Sequence, residues 1–180
     1  MNAMEKVLSF WFEESTPKQW FEKSEKFDLT IAKRFTALSE QAAKVELAYW
    51  RASIRGRLAE IIILDQFSRN LWRDTPRAFA QDAMALALAQ EAIKQPDYHL
   101  LTLSQRKFML MPFMHSESSF IHLQAVELFR MLGDDSTLDY EMRHKAIIDK
   151  FGRYPHRNEI LGRPSTREEI AFLQQPNSSF

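Results

Sequence analysis

Residues 55–73 read RGRLAEIIILDQFSRNLWR, and this stretch decides the fold class. Placed on a helix at about 100° per residue, Leu58, Ile61, Ile62, Asp65 and Arg69 share one arc. Ile63 and Phe67 project from nearly the opposite side, and Leu64 also lies off the first arc. A helix that is apolar nearly all round is a buried one. Asp65 and Arg69, four residues apart, can pair along one face, and burying either without a partner is costly. The stretch therefore predicts a central buried helix ending in a polar knot of Asp65, Gln66, Arg69, Asn70 and Arg73.

Helix signals run outward from it in both directions. Upstream, Met4–Phe12 reads as a short helix, Thr16-Pro17 as an N-cap with proline behind it, and Asp28 as the cap of a helix carrying Ile31, Phe35 and Leu38. Leu47, Tyr49 and Trp50 form an aromatic connection, and Ser53 is placed to cap the central helix. Downstream, Thr75-Pro76 predicts the start of an alanine-rich helix reaching about Lys94, whose small side chains let a neighbour approach closely. Thr102 with Gln105 forms a capping box for a helix to Met111, where Pro112 bends or stops the chain. A helix from Ser118 or Ser119 to Leu132 ends at Gly133, and one from Leu138 to Phe151 ends at Gly152. Thr166 with Glu169 opens the last, to about Leu173. No stretch alternates with period two and no hairpin signal occurs. The expectation is an all-α domain over residues 1–175, about eight or nine helices joined by short links that favour antiparallel pairs. Residues 176–180 are expected to fray.

Composition narrows the function classes. Lys plus Arg (24) balance Asp plus Glu (24), which argues against a nucleic-acid binder. There is no cysteine, so neither a disulfide framework nor a thiolate metal site can form. The start, MNAMEKVLSFWFEES, lacks the cationic and long apolar segments of a signal peptide. Nothing approaches the ~18 apolar residues of a membrane span. A cytoplasmic protein without nucleic-acid or membrane partners is expected. Glycine is scarce and no glycine-rich phosphate loop occurs, so P-loop and dinucleotide chemistry are disfavoured. The aromatic N-terminus is compatible with a homodimer.

Three constellations could carry chemistry. The first is the knot of Asp65, Gln66, Arg69 and Asn70. The second is His115 and Glu117 after Pro112, an acid/base pair or half of a metal site. The third spans Arg143 and His144, then Arg153, His156, Arg157, Asn158 and Arg163 in a loop stiffened by Pro155 and Pro164. Such a loop could aim guanidinium groups at a carboxylate or phosphate. Each has an architectural alternative. The knot could simply fix how later segments dock, and the loop arginines could neutralise Asp65, Glu117 and other buried acids. The sequence assigns no metal and no cofactor.

Several of these pieces also resemble an uncharacterised, mainly bacterial family catalogued as domain of unknown function 924. They are VLSFWF, RGRLAEIIILDQFSRN, TPRAFAQDAMALALA, the HSE turn and LDYEMRHKAIIDKFGRYPHRNEILGRPSTREEIAFL, together spanning about Val7 to Leu173. The family usually carries proline where this chain has Ser68, so the helix here is expected to run more regularly. The resemblance implies helical hairpins in a tetratricopeptide-like superhelical array, and brings no established activity. It also implies that the blocks at 65–70, 115–117 and 143–163 belong to one pocket.

Two readings follow. In the first, the chain is a binding module whose Arg/His/Asp pocket holds a small anionic ligand or an acidic peptide of a protein partner. In the second, it is a hydrolase-type enzyme. There His115, Glu117, His144 or His156 serve as acid, base or metal ligands, and Arg69 or Arg157 stabilises an oxyanion. The first needs a pocket lined by Arg153, Arg157 or Arg163, the second a histidine and a carboxylate facing one cavity.

Overall fold

The computed structural model describes residues 2–180. The central helix is present as one rod whose middle departs from α geometry. Helix α4 (Ile54–Ile61) passes into a π turn (Ile62–Phe67) and then into α5 (Ser68–Leu71). All six residues of the π turn are buried, Asp65 and Gln66 among them. The more regular course expected from Ser68 is not found. Its N–H donates to the Ile63 carbonyl five residues back, and its Oγ lies 3.4 Å from the same oxygen. The wide turn is thus closed by a backbone donor that a proline at this position would lack.

Ser53 caps the rod, its Oγ accepting from the Gly56 N–H at 3.1 Å. Gly56 is required by a close approach. The 3₁₀ turn Ala48–Ala52 passes so near that a Cβ at 56 would lie 1.9 Å from the Trp50 carbonyl oxygen.

Four helices pack on the rod: α1 (Ala3–Ser9, continued by a π turn at Phe10–Glu14), α3 (Glu25–Ala43), α6 (Asp82–Ala92) and α7 (Leu103–Met114). Short α2 (Pro17–Phe21) lies between α1 and α3 in the chain. The core they enclose is rich in aromatic pairs, edge-on at Trp11 and tilted between Phe35 and Phe67. The Trp11 ring centroid is 5.7 Å from Phe67 and 5.4 Å from Phe108, and Phe35 is 4.9 Å from Phe67. Ala85, Ala89 and Ala92 are fully buried along α6, the close approach that their small size predicts. Helices α8 (Ser119–Leu132) and α9 (Asp135–Phe151) stack in turn on α7, and α10 (Arg167–Leu173) closes the chain. A second small core joins Ile147, Ile148 and Tyr154 to Phe151 and Phe172. With α4 and α5 taken as one rod, the described residues form nine helices and no strand.

Several boundaries differ from expectation, each for a local reason. Ser24, not Asp28, caps α3, its Oγ accepting from the Phe27 N–H, and Asp28 is spent on an ion pair instead. Thr75-Pro76 opens only a 3₁₀ turn, Pro76–Ala78. The Thr75 hydroxyl donates back to the Trp72 carbonyl at 2.7 Å rather than capping forward. Pro112 neither stops nor ends α7, which runs on to Met114. Asp134 caps α9, which begins at Asp135 rather than Leu138. The capping boxes at Thr102/Gln105 and Thr166/Glu169 form as expected.

Past the end of α3, Val45 holds φ at 63°. That left-handed conformation crowds a β-branched side chain against its own carbonyl. Val45 is 47% exposed, so little packing compensates. Val45→Asn is expected to stabilise the chain by about 0.5–1 kcal/mol. Urea unfolding at unchanged slope checks this, and a midpoint at or below that of the parent refutes it.

Candidate functional site

The π turn delivers Asp65 into the contact between the rod and the end of α7. Its carboxylate is wholly buried and accepts three donors. Gln66 Nε2 reaches Oδ2 at 2.7 Å, His115 Nδ1 reaches Oδ1 at 2.7 Å, and Arg69 Nη1 reaches Oδ1 at 3.3 Å. One helical turn on, Arg69 donates in a fork to Asp82 at 2.8 and 2.9 Å. Arg157 arrives from the loop after α9. Its guanidinium lies between the Phe79 and Tyr154 rings, 4.5 and 4.7 Å from their centroids. It donates to the His115 carbonyl at 3.0 Å and reaches Asp82 only at 3.5 Å. Its Nε is enclosed without a partner. Two arginines thus face two aspartates, and the cluster is neutral as built.

Protonation follows from this geometry. Burial would raise the Asp65 carboxyl, but the neighbouring positive charge and the donated hydrogen bonds outweigh it and hold it far below the usual range. Burial, with Arg69 beside it, pushes His115 down, while Asp65 pulls the other way. A neutral His115 donating through Nδ1 to an ionised Asp65 satisfies both. Its Nε2 is left with no protein partner among the described residues and is not enclosed.

A second network, in the loop 152–166, locks that loop to the HSE turn. Glu117 accepts the Tyr154 N–H at 2.7 Å and a two-pronged bond from Arg163 at 2.8 and 2.9 Å. Arg163 Nε continues to Asn158 Oδ1, and Asn158 Nδ2 to Ser165 and Glu169. Arg153 forks onto Glu169, which also completes the α10 capping box. Burial would raise Glu117, yet Arg163 and the Tyr154 amide lower it.

Beneath Tyr154 lies a buried pair that sequence reasoning missed. His122 Nδ1 is 2.6 Å from Glu141 Oε1, and its Nε2 meets the Ser116 carbonyl at 2.8 Å and the Tyr154 hydroxyl at 3.1 Å. Burial raises Glu141, whose Oε2 has no partner. His122, with both ring nitrogens engaged and no exposure, is an architectural histidine.

The sequence-derived candidates divide accordingly. Asp65, Gln66, Arg69, His115 and Arg157 converge, so three segments distant in sequence do meet. Glu117, Arg153, Asn158 and Arg163 form the adjoining structural lock, as the neutralising alternative anticipates. Asn70 joins neither; with Arg73 it pairs Asp28 on α3 at 2.8 and 2.7 Å. Arg143 makes an exposed ion pair with Asp139 one turn back on α9 and joins neither network. His144 and His156 pack against Tyr154 and Phe180 instead. Asp82 and Phe79 were also missed. The one signal for Asp82 is an acid opening an alanine-rich helix.

Shallow clefts of about 790 and 760 Å³ lie on α3 and between α6 and α8. Neither is lined by Arg153, Arg157 or Arg163. Among the described residues no helix is long and apolar enough to cross a membrane, and no three His, Asp or Glu side chains are grouped to hold a metal ion.

With this geometry in place, comparison with known proteins gives a consistent result. The model of a bacterial protein family of unknown function, DUF924, matches residues 7–177. The solved structure of a protein of unknown function from Agrobacterium tumefaciens superposes with a TM-score of 0.90 at 34% identity, covering 95% of this chain and 96% of that one. No curated protein matches. The chain belongs to the DUF924 family.

Proposed function

We propose that this DUF924 protein is a small acid/base enzyme whose proton-transfer group is His115. The observation that carries this is the asymmetry of the ring. Nδ1 is held at 2.7 Å by a fully buried carboxylate, while Nε2 is left open. A carboxylate so placed fixes the tautomer that leaves Nε2 a lone pair. The neighbouring His122, with both nitrogens bonded, shows what a purely architectural histidine looks like in the same fold. Gln66 and Arg69 saturate Asp65 and keep it from taking the proton itself. In this reading the hairpins follow the tetratricopeptide-like array implied by the family resemblance.

A second reading, a module that binds a small anion, draws on Arg157. Its Nε is unpartnered and its contact with Asp82 is long, so it retains donor capacity. Against it, the cluster's other arginine, Arg69, is already paired with carboxylates.

Imidazole ¹⁵N NMR tests both. The acid/base reading expects His115 as the neutral Nδ1–H tautomer at pH 7, and its acylation by diethyl pyrocarbonate well before His122. Asp65→Asn should disturb that tautomer. An Nε2–H tautomer, or acylation no faster than at His122, overturns it. Inorganic phosphate shifting the Arg157 Nε resonance without touching His115 favours the binding module.

A further inference from the structure

The histidines not used above stand around a separate feature. The ring of Phe180 stacks on His144, centroids 3.8 Å apart and planes 26° from parallel. It meets His156 edge-on at 5.9 Å and 73°. Tyr154 backs both imidazoles, its centroid 5.7 Å from each.

The walls and their backing are fixed. His144 Nδ1 is bonded to the Tyr140 carbonyl at 2.6 Å. Tyr154 is held at both ends, its hydroxyl donating to the Met114 carbonyl and its amide to Glu117. His156 follows directly in the turn Pro155–Arg157. The occupant is held loosely. Phe180 is 49% exposed, and the one side-chain hydrogen bond of residues 176–180 runs from Ser178 Oγ to the Leu173 carbonyl at the end of α10, away from the ring. Residues 176–180, expected to fray, thus lie back against the fold through one ring and one buried serine. Finally, the Nδ1 of His156, one of the two imidazoles that meet Phe180, is enclosed and has no partner. A phenylalanine ring cannot satisfy it; a ring carrying a polar substituent can.

We propose that Phe180 is the chain's own occupant of a ring-binding seat formed by His144 and His156 and backed by Tyr154. A small arene bearing a hydrogen-bonding group takes the seat when the tail leaves it. The inference stands apart from the role given to His115. Rigid aromatic walls favour planar ligands through stacked and edge-on contacts. The unpartnered imidazole nitrogen selects rings with a donor or acceptor at their edge.

Benzamide is a suitable probe, since its amide offers both a donor and an acceptor and so meets either tautomer of His156. In the full chain the His144 ring proton signals should be displaced upfield by the Phe180 ring current. Phe180→Ala, a change at a half-exposed side chain, should move them downfield. Benzamide should then restore the upfield position, binding F180A at least fivefold more tightly than the parent chain. Adding His156→Ala to F180A should weaken that binding. Signals unmoved by F180A would show the seat unoccupied and overturn the proposal. So would benzamide that fails to restore them, or that binds both chains equally.

Discussion

Asp65→Leu is expected to destabilise the chain by about 3–5 kcal/mol, because it leaves buried polar partners without their acceptor. Leucine fills a similar volume and suits the apolar surroundings, so the loss is not one of packing. Three donors converge on that carboxylate, from Gln66, His115 and Arg69. Arg69 keeps its fork onto Asp82, but His115 and Gln66 lose a buried partner outright. Asp65→Asn preserves one oxygen acceptor and should cost less, about 1–3 kcal/mol. The pair Asp65→Leu with Arg69→Met should recover part of the loss, since the two arginines left against one aspartate by Asp65→Leu become one of each, with Arg157 facing Asp82. Urea unfolding at pH 7.5 measures all three. An Asp65→Leu chain within about 1 kcal/mol of the parent would mean that this knot does not dock the 115–117 turn onto the rod.

Between pH 6.5 and 4.5 the folded chain is expected to lose on the order of 5 kcal/mol of stability through two histidines. Burial holds His144 down at about 3, against the opposing bond to the Tyr140 carbonyl. Burial, then the adjacent Arg157 charge, holds His156 down at about 4. The unfolded chain takes up these protons near 6.5. In the window the unfolded state therefore binds more protons, and stability falls as pH falls, by roughly 1.4 kcal/mol per unit for each histidine. The lowered carboxyls of Asp65, Glu117 and Glu169 act elsewhere. Their contribution is intact above the ordinary carboxylate range and is lost only below it. Glu141, raised by burial, works in the opposite direction. Chemical denaturation at pH 7, 6 and 5 checks the slope, and His156→Gln should remove one histidine's share of it, roughly 1.4 kcal/mol per pH unit. Stability that stays flat over that range would contradict neutral burial of these side chains.

Much of this was legible in local pattern. A helix writes its exposure into a 3.6-residue period, so the all-round apolar run 58–67 could only be a buried rod. Capping chemistry is equally local, which is why Ser53, Thr102 and Thr166 read correctly. The buried pair beneath Tyr154 left a trace that pattern reading could have used. His122 shares its stripe with the buried Ala125, Val126 and Phe129, and Glu141 shares one with His144 and Ile148. A charged residue on an apolar face needs a partner, but the period does not say which.

What the amino-acid sequence determined by itself was therefore the fold class, the rod at its centre, and the residue types that would have to be neutralised inside it. The tertiary structure alone decided the pairings. Arg69 chose Asp82, Asn70 and Arg73 chose Asp28, and Arg163 chose Glu117, across separations of 13 to 46 residues. Such choices depend on which helix ends meet in space and on which donor reaches a carboxylate first, and neither is encoded in the spacing of one segment. The same holds for the π turn, where backbone widening under Asp65 sets the aim of the side chain that orients His115.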